Sequence, residues 1–87
     1  MRANATVARN LRRLRLLKGV SQENLAMDAG IDRTYVSRLE REMENPTVAV
    51  LETLAVALEI GIGEFFETVD PDAPPPAQLP RGRRKAR

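Results

Sequence analysis

The tightest constraint on this chain is the spacing of Ser21, Gly30 and Asp32. Ser21 stands before a helical pattern, where its hydroxyl caps the first turn, and Glu23 adds the negative charge that the helix dipole favours there. Gly30 ends that helix, because only glycine takes the left-handed conformation without steric cost. Asp32 is placed to cap a second helix after a turn of very few residues. Two helices so closely joined must cross at a steep angle.

The second helix carries the chemistry. Wound at roughly 100° per residue, it gathers Arg33, Thr34, Ser37, Arg38 and Arg41 into one arc of about 140°. Val36 and Leu39 fall on the opposite side, with Ile31 entering from the same inner side. Guanidinium forks match guanine edges and phosphate oxygens, and hydroxyls serve donors or acceptors on base edges. An ordinary solvated helix face would look the same by itself. The preceding helix and turn are what tip the reading towards a nucleic acid.

Composition narrows the alternatives. At 87 residues the chain is near the size at which one core becomes comfortable. It has no cysteine and no histidine, so thiolate sites, disulfides and the usual catalytic base are excluded. The carboxylates read as caps, pairs or surface, no acid–base constellation presents itself, and no enzyme, cofactor or metal is expected. No apolar run approaches the roughly 20 residues of a membrane span, and residues 1–7 lack a signal-peptide core. A cytoplasmic protein with no membrane contact is the expectation. Residues 1–68 hold nine Lys/Arg against ten Asp/Glu, a net of −1, while residues 69–87 hold five against two, a net of +3. If the folded part binds DNA, it does so with locally placed arginines rather than an overall field.

The sequence resembles the Cro/C1-type (XRE-like) helix-turn-helix domain of phage repressors and small bacterial regulators. The resemblance rests on Leu11-Arg12-Arg13-Leu14-Arg15, Ser21-Gln22-Glu23-Asn24-Leu25-Ala26, Gly30 to Arg41, Asn45-Pro46-Thr47 and the run Leu51 to Phe66. Asp32-Arg33-Thr34-Tyr35-Val36-Ser37 and the short length look most like restriction–modification controller proteins. The resemblance implies an all-α, five-helix, lambda-repressor-like domain over 1–68 and a transcription regulator, such as a repressor, bound to double-stranded DNA. It further implies that Arg15 pairs with Glu40 as a structural ion pair, and that Gln22 contacts phosphate or braces a readout side chain. Arg33, Thr34, Ser37 and Arg38 are then the base-contacting residues, and Gln22, Tyr35, Arg41 and Asn45 the backbone-contacting ones. For Tyr35, packing against helix 4 is an equal alternative.

Helix boundaries follow from periodicity and caps, at about 6–18 (capped by Asn4 or Thr6), 22–29, 33–41, 48–58 and 62–67. Val48, Leu51, Leu54, Ala55 and Leu58 form the inner stripe of the fourth. Glu42 and Glu59 stand where the family usually has glycine, so the loop after the recognition helix is expected to be reshaped. Gly61 replaces a usual serine cap. Ile60, Ile62, Phe65 and Phe66 crowd apolar side chains at the domain's end, one phenylalanine closing the core and the rest offering a homodimer face. A symmetric pair would read two half-sites about 34 Å apart.

Five of the six prolines lie in residues 69–87, which end in Arg81-Gly82-Arg83-Arg84-Lys85-Ala86-Arg87. This is the composition of a disordered tail. It reads either as a phosphate-tracking arm or as a solubilising end. A second function class is an antitoxin-like protein whose tail or apolar face neutralises a partner protein, with DNA binding serving autoregulation.

Overall fold

The computed structural model describes residues 3–68, so the tail and any partner it engages lie outside the described residues. The elements are α1 (Ala3–Leu17), α2 (Gln22–Ala29), α3 (Arg33–Glu40), α4 (Val48–Leu58) and a 3-10 helix (Ile62–Phe66). The expected count of five α-helices is therefore corrected to four. The fifth element is a single tight turn, because glycine at position 61 offers no side-chain cap and i→i+3 bonds wind the segment. The Glu64 carboxylate instead reaches back to the Gly61 amide at 3.2 Å.

Apolar periodicity builds the core. Val7, Leu11 and Leu14 of α1 meet Leu25 and Ala26 of α2, Val36 and Leu39 of α3, and Leu51, Leu54, Ala55 and Leu58 of α4. Phe65 completes it and is fully buried. Phe65 is thus corrected out of the dimer face, since its ring is consumed within one copy. Val48 is also corrected. It opens α4 on the solvent side and is exposed.

Caps behave as the residue types require, with two exceptions. Ser21 Oγ accepts from the Asn24 amide at 3.0 Å, and Thr47 Oγ1 from the Val50 amide at 3.1 Å. Asp32 occupies the capping position of α3, yet its side chain accepts no capping hydrogen bond. α1 is already helical at Ala3, so Asn4 and Thr6 lie inside it and neither caps it.

All four α-helices close in one way. An amide two or three residues beyond each helix returns to a carbonyl five residues back: Val20 to Arg15, Ile31 to Ala26, Met43 to Arg38 and Ile60 to Ala55. The residue before each must take positive φ. Gly19 and Gly30 do so at 69° and 71°. Glu42 and Glu59 do so at 64° and 61° despite their side chains. The loop after α3 is therefore not reshaped by Glu42. The turn is kept and the backbone bears a left-handed non-glycine residue.

Asn10, fully buried on α1, fastens the end of the domain. Its Nδ2 donates to the carbonyls of Phe65 and Glu67, both at 2.8 Å. Its Oδ1 accepts from Arg13, whose guanidinium also lies 3.6 Å from Glu67. With two carbonyls captured this way, the last turn is fixed against α1 without a longer helix.

Candidate nucleic-acid interface

α3 is held from behind and open in front. Behind it, Arg15 grips Glu40 with both edges of its guanidinium, Nε to Oε2 at 2.7 Å and Nη2 to Oε1 at 3.0 Å. Arg15 Nη1 donates to the Val20 carbonyl at 2.9 Å. Gln22 Nε2 adds a 3.0 Å bond to Glu40 Oε1. One carboxylate thus joins α1, α2 and α3, and only 10% of the Arg15 side chain and 4% of the Glu40 side chain remain exposed. Such a pair fixes geometry more than it adds stability, since desolvation offsets much of the attraction.

In front, Arg33, Thr34 and Arg41 are exposed, and Ser37 and Arg38 are partly so. Val36 and Leu39 are fully buried on the other side. The arginines differ in what they touch. Arg38 Nε donates to Glu44 Oε2 at 2.7 Å, and its Nη2 lies 3.4 Å from the Met43 carbonyl. Arg33 and Arg41 form no ion pair among the described residues.

Of the residues assigned to the sugar–phosphate backbone, Arg41 and Asn45 are exposed and flank the end of α3. Gln22 commits one of its two amide N–H donors to Glu40. Tyr35 is partly buried against the core. Burial raises its phenol above the ordinary value of 10.0, and the Glu44 carboxylate raises it further. The partnership of Glu44 with Arg38 had only a faint signal in the sequence: an acid two positions past the αL residue of the turn, six residues beyond the arginine.

A family model described as helix-turn-helix matches residues 11–65. The chain belongs to the helix-turn-helix family. The match spans the elements that present and support α3. A hypothetical transcription factor of Neisseria meningitidis is 46% identical over 56 residues, covering 64% of this chain and 53% of that protein. The chain therefore spans little more than half the length of that relative. The solved restriction–modification controller C.AhdI of Aeromonas hydrophila is 41% identical, with a TM-score of 0.71 over 72% of this chain and 96% of that one. A second solved member, the controller C.Esp1396I, was determined as a tetramer with its natural 35-base-pair operator. It is 36% identical, with a TM-score of 0.70 over 76% of this chain and 87% of that one. That controller has also been solved with an arginine, a threonine and a tyrosine at three successive positions replaced one at a time. Arg33-Thr34-Tyr35 is the one place where this family member has the three types in succession.

Proposed function

We infer that this chain is a sequence-specific DNA-binding transcriptional regulator of the Cro/C1-type family, with α3 entering the major groove. One observation carries the reading: the polar arc of α3 faces solvent while its carboxylate end is locked to α1 and α2 through Arg15. A readout helix must be both open and immobile, because a base-edge fork tolerates little misplacement. Arg33, Thr34, Ser37 and Arg38 read base edges. Gln22, Tyr35, Arg41 and Asn45 hold the sugar–phosphate backbone, for which Gln22 keeps the second N–H of its amide and Tyr35 its hydroxyl. No described helix is long and apolar enough to cross a membrane, and we place the protein in the cytoplasm.

The regulator works as a homodimer. Phe66 is 50% exposed, and Ile60 and Ile62 pack only partly against the core beside it. Val56 on α4, not anticipated as part of this face, is also 72% exposed. The crystallised tetramer of a relative on operator DNA supports such pairing. Two copies double the base pairs read and require a two-fold symmetric site.

Selection of bound duplexes from a random pool tests this directly. The expected product is a palindromic consensus with half-sites about one helical turn apart. Recovery of no enriched sequence would sink the reading. On the selected duplex, Arg38→Ala should cost about 1–3 kcal/mol at one base pair and relax preference there, while Asn45→Ala should weaken all sequences alike. A uniform loss from Arg38→Ala would reassign Arg38 to the backbone.

A further inference from the structure

Arg38 differs from Arg33 and Arg41 in having an ion-pair partner among the described residues, and the partner's geometry is specific. Glu44 takes the Nε edge of the guanidinium, at 2.7 Å, and the Met43 carbonyl lies at long range of Nη2. Nη1 carries no hydrogen bond among the described residues. A guanidinium has five N–H donors in a rigid plane. Occupying its Nε side leaves the Nη1–Nη2 end, which is one of the two edges able to grip guanine O6 and N7 together. The loop that places Glu44 is itself fixed. Its first turn is closed by the Met43 amide returning to the Arg38 carbonyl at 2.9 Å, with Glu42 held at positive φ. The Glu44 carboxylate also disfavours ionisation of the Tyr35 phenol, so one acid acts on two of the side chains proposed to touch DNA.

We propose that Glu44 is a specificity-determining positioning residue: it holds Arg38 end-on for a neutral base edge and disfavours the same guanidinium settling on a phosphate. The argument rests on the DNA-binding reading above. A phosphate that pairs with Arg38 must bring its negative charge beside the Glu44 carboxylate, where the two anions repel. A guanine edge brings no net charge, so the carboxylate leaves that contact standing. The held side chain also has less rotamer freedom to lose on meeting its base. Glu44 thus weakens sequence-blind binding, which phosphate contacts dominate, more than it weakens binding to the operator.

The test uses the full chain, a duplex obtained by selection from a random pool and a scrambled duplex of equal length. Wild type, Glu44→Gln, Arg38→Ala and the double variant are titrated on both at several salt concentrations. Failure of wild type to select any duplex defeats the underlying regulator reading and is seen before Glu44 is altered. Given selection, Glu44→Gln should tighten binding to the scrambled duplex by about tenfold and to the operator by much less. Its salt slope should steepen by about one unit for each new phosphate contact. In the Arg38→Ala background, Glu44→Gln should no longer change the ratio of the two affinities. Equal tightening on both duplexes would reduce Glu44 to a general repulsive charge and overturn the proposal. Selective tightening on the operator would make Glu44 a competitor for Arg38 and also overturn it. Coincident thermal melts of wild type and Glu44→Gln establish that the fold is unchanged.

Discussion

α3 takes part in two arginine–glutamate pairs that share a 2.7 Å contact from Nε to Oε2 and differ in burial and in the number of bonds that complete them. Arg15–Glu40 is bidentate, nearly sealed, and completed by Gln22 and the Val20 carbonyl. Arg38–Glu44 is made through one guanidinium edge, with side chains 40% and 29% exposed. The first cannot open without leaving a charge stranded away from water. The second opens into solvent, where its members are readily rehydrated. The inner pair therefore sets where α3 lies, and the outer one sets how a side chain is offered from it.

Truncating one arginine of each pair separates the roles most strongly. Arg15→Ala leaves Glu40 buried without its counter-charge and should cost about 3–5 kcal/mol. Replacing both partners by apolar residues, Arg15→Met with Glu40→Leu, should cost much less, because no charge remains to desolvate. Arg38→Ala should change stability by no more than about 0.5 kcal/mol. Denaturant unfolding of the four proteins decides it. A double apolar variant as unstable as Arg15→Ala would mean that the helices need the pair itself and not merely the absence of an orphan.

Asn10 extends the inner side of the comparison to an uncharged group. Asn10→Ala removes the donor to two carbonyls and the acceptor of Arg13, and should cost about 2–3 kcal/mol. The loss should be local first. Amides of residues 62–67 should exchange with solvent faster than those of α2 and α3. Uniform acceleration across the domain would show that the last turn is not a separate unit. Because Phe66 sits in that turn, the same variant should also weaken dimerisation, read by sedimentation at falling concentration.

Most of the fold was legible because it is written in local chemistry. The bounds of α2, of α4 and of the turn between α2 and α3 follow from Ser21, Gly30, Thr47 and an apolar repeat. Asn10 was not legible, since one amide among the arginines of α1 gives no sign that carbonyls 55 and 57 residues away need it. Phe65 and Phe66 could not be ranked from sequence, because neighbouring residues of a short turn differ only in which side the core lies. The outward arc of α3 was legible from helical winding, but the hold of Glu44 on Arg38 depends on the path of a loop. That loop was misjudged for an instructive reason. Glutamate is disfavoured at positive φ, yet the returning hydrogen bond and the packing of the helices hold it there. Glu59 shows the same override away from the interface. Glu59→Gly should relieve it and raise stability by about 0.5–1 kcal/mol, the left-handed penalty less the extra chain entropy of glycine. A lower midpoint in thermal unfolding would show that the Glu59 side chain contributes more than its backbone strain removes.

The smallest effect concerns the outer pair's neighbour. Tyr35 is the chain's one tyrosine and there is no tryptophan, so its phenolate can be followed by ultraviolet absorbance without overlap. Burial, and then the Glu44 carboxylate, disfavour the ionised ring in the folded protein. Below the ordinary value of 10.0 the ring is neutral whether folded or not, and its contribution to stability does not change with pH. Above that value the unfolded chain ionises first, so stability falls until the folded phenol has also titrated. Tyr35→Phe should remove this alkaline loss. Glu44→Gln should move the folded phenol part of the way back towards its ordinary value, and Arg15→Ala should not act on it through charge. A tyrosine titration unchanged by Glu44→Gln would mean that burial alone sets the phenol, and would separate Tyr35 from the Arg38–Glu44 pair.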